Sequence, residues 1–405
     1  MAGYADFGFG PIGSGGLDED AFITMMERDA GYAPRWARGY GPLGLQEVTS
    51  LALTSDESVV VTGSFSGTLD FDAGLLMAAG NRDIYLAKVS PSGDTVFSAA
   101  FGSLASETVY GLALGPNDEV VIVGQLGTSP LSFGGTALTT AGGADAFIAR
   151  FDAAGHHQWS ARYGNSLSQA AKAVAIQRSP FVLGQTVVAG DFQGMMNLAS
   201  GTLTSAGGQD IFLVCFDEAG NALWGRRFGD SADQRVNSIA VDPLSGQIAV
   251  TGTFQGTIDF GGSALTSDAG WDGYVAVFTP GSFTASNAWS TQLGGGDDQQ
   301  GLSVAFDYSG NLLTAGSFRG SLTLGSDTRT SAGGRDFFVS KHSASGTLLW
   351  LETGGDEADQ ELTGVTADTL NRVRVTGTFA GTTTLDGVPH PALGAADAFI
   401  GELRP

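Results

Sequence analysis

The sequence predicts an all-β protein, a β-propeller of six four-stranded blades, and three observations support this fold class. Short apolar runs with period-2 alternation follow one another along the chain, separated by clusters of Ser, Asn, Asp and Gly. Glycine accounts for 62 of the 405 residues, about twice the usual share, and falls at regular intervals. An aspartate recurs every 61–65 residues, at Asp20, Asp83, Asp145, Asp210, Asp272, Asp336 and Asp397. A fixed period of this size is typical of stacked or radially arranged units that cannot bury their faces alone.

One complete repeat is seen in residues 301–355. Its predicted antiparallel strands A, B, C and D occupy residues 302–306, 312–318, 336–341 and 348–353. Tight Asp/Ser/Gly turns join A to B and C to D, whereas a Gly-rich insert with a short strand of its own, at residues 321–324, joins B to C.

The complete chain follows the same pattern as a single domain, residues 1–405. It consists of a C–D pair in residues 1–41, five full repeats, and strands A, B and C in residues 362–403. We expect Arg35–Tyr40 to pair as the outer strand of the C-terminal blade, so that residues 1–41 and 362–405 share the closing blade and one strand C is surplus. Seven blades are the alternative. The six A strands are predicted to begin near Val48, Val109, Ala171, Val236, Gly301 and Leu362.

Two motifs mark the predicted strands. Strand B ends in G-x-F-x-G, as at Gly63–Gly67, and strand D carries an aromatic residue five positions before a glycine. A large aromatic repeated at one strand position is most simply a packing anchor between neighbouring sheets, with ligand stacking as the alternative. These aromatic residues are Trp36, Phe97, Trp159, Trp224, Trp289 and Trp350.

The segments Val61–Phe71, Gly142–Gly155 and Leu223–Gly229 give the chain a family resemblance. Their motifs, VTGSFSGTLDF, GGADAFIARFDAAG and LWGRRFG, resemble the bacterial seven-bladed β-propeller repeat (SBBP-type) family over nearly the whole chain. The resemblance implies a propeller fold and an extracellular or cell-surface setting, and it brings no catalytic residues. The family name implies seven blades, whereas six A strands are counted here.

Composition narrows the possible partners. With 19 Lys and Arg against 42 Asp and Glu, the formal charge of −23 repels nucleic acid and anionic lipid surfaces. The single cysteine, Cys215, lies in an apolar strand and is interpreted as a small buried hydrophobe. No stretch approaches the ~20 apolar residues of a membrane span, and residue 1 does not begin a signal peptide.

The candidate site is predicted at the end of each blade where the B–C inserts and the D–A loops lie, because long loops on a rigid scaffold usually carry binding. The fifth residue after each strand-D glycine is polar and is expected to contribute to a ring at the mouth of a central channel. The alternative is that each side chain hydrogen-bonds loop backbone. These residues are Gln46, Glu107, Gln169, Gln234, Gln299 and Gln360.

Carboxylates gather in the last three D–A loops. Converging carboxylates and carbonyls could bind calcium, although no loop matches a twelve-residue calcium-binding loop, so a solvated acidic rim is the alternative. If calcium binds there, joint replacement of Asp233, Asp298 and Asp359 by Asn should abolish a calcium-induced rise in melting temperature. The carboxylates assigned to the site are Asp230, Asp233, Asp297, Asp298, Asp356 and Asp359.

Three functions follow as hypotheses. The first is a non-enzymatic binding module that presents an acidic, loop-covered face to a glycan, peptide or protein. The second is a structural spacer domain of a larger surface or secreted protein. A hydrolase or lyase using carboxylates is the third and weakest, because no acid–base pair repeats at a plausible spacing and the four histidines are scattered.

Overall fold

The computed structural model describes residues 5–6, 10–12, 20–27, 33–41, 44–179, 184–268, 270–281, 284–385 and 388–403. All regular elements in these ranges are β-strands, so the predicted all-β class is confirmed. No helix with the length and hydrophobicity of a membrane span occurs in the described ranges. The chain forms two compact units, Met1–Val174 and Ala175–Pro405.

The first unit contains two four-stranded blades, preceded by two two-stranded sheets. The hairpin strands β1 and β2 and the paired strands β3 and β4 come first: β1 (Ala5–Asp6), β2 (Pro11–Ile12), β3 (Ala21–Glu27) and β4 (Ala33–Tyr40). Blade 1 and the short hairpin within it follow: β5 (Gln46–Leu53), β6 (Val59–Phe65), β7 (Thr68–Asp70), β8 (Leu75–Met77), β9 (Asp83–Val89) and β10 (Thr95–Phe101). Blade 2 consists of β11 (Thr108–Leu114), β12 (Val120–Leu126), β13 (Asp145–Phe151) and β14 (His157–Tyr163).

The second unit repeats the same design, and its boundary falls inside the first strand of blade 3. Blade 3 contains β15 (Gln169–Ile176), β16 (Thr186–Phe192), β17 (Met195–Leu198), β18 (Gly201–Thr204), β19 (Asp210–Phe216) and β20 (Ala222–Phe228). Blade 4 contains β21 (Gln234–Val241), β22 (Ile248–Phe254), β23 (Thr257–Ile258), β24 (Leu265–Thr266), β25 (Asp272–Pro280) and β26 (Ala285–Leu293).

Blades 5 and 6 complete this unit. Blade 5 contains β27 (Gln299–Phe306), β28 (Leu312–Phe318), β29 (Ser321–Leu324), β30 (Asp327–Thr330), β31 (Asp336–His342) and β32 (Leu348–Gly354). Blade 6 contains β33 (Gln360–Ala367), β34 (Val373–Phe379), β35 (Thr382–Leu385), β36 (Val388–Pro391) and β37 (Asp397–Leu403).

The predicted six-bladed propeller class is confirmed by the sheet topology. Six antiparallel sheets begin with an A strand; five have four strands in the order A–B–C–D, and the sixth has the order β33-β34-β37. Strands β3 and β4 form a two-stranded sheet. The shared closing blade stays a prediction.

In blades 1 to 5, strands B and C are buried on both faces, which explains their nearly continuous apolar sequences, whereas β34 and β37 of blade 6 are partly exposed. Every residue of β6, β9, β16 and β19 is buried. In the first unit, the β3–β4 sheet packs on blade 1 through a cluster that includes Ile23, Trp36, Tyr40, Phe71 and Tyr85. The core therefore consists of side chains held between successive sheets.

The strand-D aromatic residues whose contacts the structure gives pack against the next blade, as predicted. Trp36 donates its indole N–H to the Pro91 carbonyl oxygen at 3.0 Å, and Trp289 donates to that of Ala344 at 3.1 Å. Both acceptors lie in the C–D turn of the following blade. A Cβ placed on Gly346 of the second turn would lie 2.7 Å from the Trp289 ring, so the indole rests directly on the glycine.

The structure explains why glycine occupies both ends of the G-x-F-x-G motif. A Cβ on the first glycine would lie 1.8 Å from the Glu47 carbonyl oxygen at Gly63 and 2.1 Å from that of Glu361 at Gly377. Strand A therefore approaches too closely for a side chain. The second glycine has a positive φ, 68° at Gly67 and 69° at Gly381, a conformation that L side chains rarely adopt.

The strands differ from the prediction in two respects. The A strands begin one or two residues earlier, because the polar residue placed in the D–A loop pairs with the last residue of strand B, as in the Gln299–Phe318 pair. The predicted short strand Ser321–Leu324 is confirmed, but it pairs with β30 as a hairpin. Cys215 is buried, as expected, and burial raises the pKa of its thiol to about 12.

Candidate functional site

The D–A loops and the B–C connections meet at one end of each blade, here called the loop face. The first residue of a B–C connection hydrogen-bonds back to the D–A loop: Gln255 N–H donates to the Asp233 carbonyl oxygen at 2.9 Å, and Ala380 N–H donates to that of Asp359 at 2.8 Å. The opposite end, the turn face, carries the A–B and C–D turns, such as Asp307–Asn311. The predicted difference between the two ends is therefore present.

The six repeated amide and carboxyl side chains are buried, each at most 1% exposed. Gln234 and Gln360 show the arrangement most fully. The Gln360 amide donates to the Ala380 carbonyl oxygen at 3.0 Å and to the Asp356 carboxylate at 2.6 Å, and its Oε1 accepts the Asp356 N–H at 3.0 Å. The alternative prediction, that these side chains hold loop backbone, is confirmed for them. The set is Gln46, Glu107, Gln169, Gln234, Gln299 and Gln360.

Glu107, which directly precedes β11 of blade 2, brings a carboxyl group to this position. It accepts the Ser103 N–H at 3.1 Å and also the Ser103 hydroxyl. Burial raises its pKa, and the neighbouring Asp83 carboxylate adds to the shift. A negative charge is therefore less favourable here than a neutral amide.

Asp230 and Asp356 each follow a strand-D glycine. Each accepts hydrogen bonds from the D–A loop, from the first residue of strand A and from the B–C connection. Asp230 accepts N–H groups of Ala232 and Thr257, each at 2.8 Å, and the Gln234 amide at 2.8 Å. Burial opposes ionisation of Asp230, but these hydrogen bonds outweigh it and lower its pKa. In Asp356 the bonds from the Ala358 and Thr382 N–H groups lower the pKa in the same way.

Asp233, Asp298 and Asp359 share a second bridging role. Each precedes strand A and accepts a backbone N–H from the residue before strand C: Gln209 at 2.9 Å, Trp271 at 3.0 Å and Arg335 at 2.9 Å, respectively. These three side chains therefore clamp the D–A loops to the B–C connections, and none of the three bonds requires a metal ion.

Asp297 is exposed and lies beside Gly320, a glycine of the B–C connection in blade 5. A Cβ on Gly320 would lie 2.4 Å from its Oδ2 atom. Asp359 is also exposed, as is Glu357 in the same loop. In the described ranges, no three His, Cys, Asp or Glu side chains converge in a group that could hold a metal ion. The binding role of the assigned residues stays a prediction.

Trp271 is the loop-face residue that sequence reasoning missed. The Arg235 guanidinium lies 4.5 Å from its ring centroid, a cation–π contact, and donates to Gln209 Oε1 at 3.2 Å. Trp271 is partly exposed. A usable signal was present in the sequence, because Trp271 is the one tryptophan of six outside the strand-D series.

Two of the four histidines have their contacts away from these carboxylates. His342 is buried under Trp289, with ring centroids 5.5 Å apart, and burial lowers its pKa to about 4. His156 pairs with Asp152 at 3.1 Å in a C–D turn on the turn face.

The chain has distant curated relatives, and no protein-family model matches it. It is 25% identical over 190 residues to an uncharacterized WD repeat-containing protein of Acanthamoeba polyphaga mimivirus, a match covering 41% of this chain and 13% of that protein. It is 23% identical over 301 residues to the regulatory protein FlaEY of Caulobacter vibrioides, covering 69% of this chain and 31% of that protein. The chain therefore spans less than a third of either relative.

Several solved structures are similar at low identity. They include Sqt1 from Chaetomium thermophilum (11% identity, TM-score 0.41, covering 83% of this chain and 80% of that chain) and the Neurospora crassa Pan2 WD40 domain (8%, 0.39, 81% and 85%). An ulvan lyase is also similar (9%, 0.42, 81% and 75%). At these values the likenesses carry no statement about function. The chain is a β-propeller with a WD repeat-containing protein among its relatives.

Proposed function

We propose that this protein is a non-enzymatic interaction module whose loop face binds a protein partner through an exposed basic segment. The observation that carries the proposal is Trp271, a partly exposed indole of the loop face that stacks with Arg235 and whose backbone N–H is held by Asp298. Tryptophan and arginine are the side chains that most often dominate binding energy at protein interfaces.

The charge distribution supports a basic partner. The chain carries a formal charge of −23, and Asp297, Glu357 and Asp359 are exposed on the loop face. Complementary charge speeds association and disfavours acidic partners. The hydrogen bonds of Asp233 and Asp298 fix the loops before binding, which reduces the ordering cost that association must overcome.

Binding to immobilised pools of short Lys/Arg-rich peptides tests the proposal, with Asp/Glu-rich pools of matched length beside them. We expect the basic pools to bind, with an affinity that falls as salt rises. The double variant Trp271→Ala, Asp297→Asn should weaken binding about tenfold or more, because it removes an anchor and a charge.

Tyr308→Ala provides the matched control. Tyr308 is an aromatic residue, 54% exposed, in the A–B turn of blade 5 on the turn face. Its replacement should leave peptide affinity unchanged. Equal binding of acidic and basic pools, or equal loss in both variants, contradicts the proposal; binding only to neutral oligosaccharides would assign the face to glycans instead.

The biological setting is part of the same proposal. The repeat motifs resemble the SBBP-type family, and on that resemblance we place the protein outside the cell or at its surface. Fractionation of the natural host with an antibody against this chain tests the placement, which fails if the protein is recovered from the cytoplasm.

A further inference from the structure

The indole of Trp271 already carries a cation in the folded protein. The Arg235 guanidinium carbon lies 4.5 Å from the ring centroid. Arg235 Nε also donates to Gln209 Oε1 at 3.2 Å, and its Nη2 atom lies 3.9 Å from Asp233 Oδ2. An aromatic face, an amide oxygen and a carboxylate are groups that bind an arginine side chain. Together they form a guanidinium site that is filled by a residue of the chain itself.

Two other arginines of the loop face have a glutamate as their partner. Both stand directly before strand C, and the glutamates are the second residues of A strands. Arg82 of blade 1 pairs with Glu47 of the same blade, and Arg335 of blade 5 lies 4.0 Å from Glu361 of blade 6. Each of these arginines therefore has an oppositely charged side chain at a repeated position.

Arg235, the second residue of its own strand A, is held by weaker contacts. Its neighbours before strand C, Gln209 and Trp271, are uncharged, and the Asp233 carboxylate is 3.9 Å away. Its side chain is 48% exposed, and at such exposure a cation–π contact or an ion pair contributes little. The backbone of Arg235 is fixed by pairing with Thr253 in strand B. The guanidinium group can therefore leave the indole by rotation of the long side chain alone.

Carboxylates border the segment that carries Trp271. Asp298 accepts the Trp271 N–H at 3.0 Å, and a Cβ on Gly270 would lie 2.7 Å from Asp298 Oδ1. Asp297 is exposed in the same D–A loop. A cationic ligand is therefore attracted to this part of the loop face, whereas the charge of Arg235 repels it.

We propose that Arg235 is a displaceable internal cation, and that an arginine of the partner takes its place on the Trp271 indole and beside Gln209 and Asp233. The inference rests on the proposed function and deepens it, since it names the side chain that is recognised and the residue of this chain that limits affinity. Arginine is favoured over lysine because its planar guanidinium group stacks on an aromatic ring and donates several hydrogen bonds at once.

Arg235→Gln tests the proposal with little risk to the fold, because glutamine stands at the equivalent position of blade 5, as Gln300. The probe is N-acetyl-arginine amide, whose guanidinium is its only charge, titrated by ligand-observed NMR. Removal of the internal cation should tighten binding of the probe about three- to tenfold relative to wild type, because nothing then competes for the indole. The corresponding lysine probe should gain less.

Two further variants separate displacement from a general loss of positive charge. Arg82→Gln removes the same charge from the pair with Glu47 in blade 1 and should leave probe affinity unchanged. In the double variant Arg235→Gln, Trp271→Leu the gain should disappear, because the ring on which the probe stacks is absent. An equal gain in Arg82→Gln, or a gain that survives the loss of Trp271, overturns the proposal. Equal, weaker or undetectable binding of the probe by Arg235→Gln does so as well.

The two proposals fail in different experiments. If basic peptide pools do not bind the wild-type protein but the probe gains affinity in Arg235→Gln, the proposed function is wrong and the guanidinium site stands. If the pools bind and Arg235→Gln shows no gain, the loop face keeps its proposed function and Arg235 is a fixed part of it, not a displaceable cation.

Discussion

Buried polar side chains shape the loop face of this protein. Gln360 and Asp356 bind one another and also hold the start of the B–C connection, so one amide–carboxylate pair fixes three segments. A buried polar group of this kind that lacks a hydrogen-bond partner destabilises the folded state. These positions therefore require side chains that can complete the hydrogen bonds. The exposed side chains available to a partner rest on this buried layer.

Removal of the Gln360 amide should therefore destabilise the protein. Gln360→Leu loses three hydrogen bonds and leaves Asp356 and Ala380 without them, a cost of about 1–3 kcal/mol. Chemical denaturation monitored by fluorescence measures it. The control Glu357→Gln, an exposed residue in the same loop, should change stability by less than about 0.5 kcal/mol. Equal effects of the two variants would remove the structural role assigned to Gln360.

The candidate site was predicted from the sequence as a set of residues, but their orientation was not. Periodicity located an Asp–Gln pair just before strand A in each of the last three D–A loops, as at Asp233 and Gln234. It did not show that Gln234 is buried and Asp233 partly exposed, because that depends on strand A starting at Gln234 and pairing with Phe254. Trp271 was missed because the residue type at its repeated position, the one before strand C, varies among Gln209, Trp271 and Arg335.

Among the secondary-structure elements, strand D joins successive blades through its aromatic residue. Trp289 in β26 reaches the Ala344 carbonyl oxygen and covers Gly346 in the next C–D turn. Strands with period-2 alternation could be predicted well, since their two faces differ in sequence. The hairpin partner β30, with alternating polar residues, gave no comparable apolar signal.

Two substitutions at Trp289 separate packing from hydrogen bonding. Trp289→Ala removes both and should cost about 2–3 kcal/mol, less than for a fully buried tryptophan because the indole is partly exposed. Trp289→Phe keeps an aromatic ring and should recover more than half of the loss. Thermal unfolding provides the comparison. A Phe variant as unstable as the Ala variant would mean that the hydrogen bond, and not packing, is the anchor.

For the whole molecule, the sequence predicted the number of A strands and their repeat, and the structure confirms six blades. Leu51 in blade 1 is 56% exposed, whereas the equivalent Leu112 and Val304 are 8% and 5% exposed. In the described ranges the β3–β4 sheet that packs on blade 1 consists of two strands, whereas Leu112 and Val304 follow complete four-stranded blades. Sharing of the closing blade by the two chain ends stays a prediction.

Deletion of residues 1–41 should destabilise the first unit by several kcal/mol. It removes Trp36 and Tyr40 from their cluster and exposes Phe71 and Tyr85, which are now 1% and 0% exposed. Calorimetry of the full chain and the truncated chain gives the comparison. Identical melting curves would show that the β3–β4 sheet does not stabilise blade 1.

Hydrogen-exchange footprinting with a bound basic peptide tests the central claim most directly, because it reads both ends of every blade in one experiment. The account predicts protection in the D–A loops and strand-C starts of the second unit, around residues 230–235, 268–272 and 294–299, with unchanged exchange in the A–B and C–D turns. Protection confined to those turns, with none on the loop face, would contradict it.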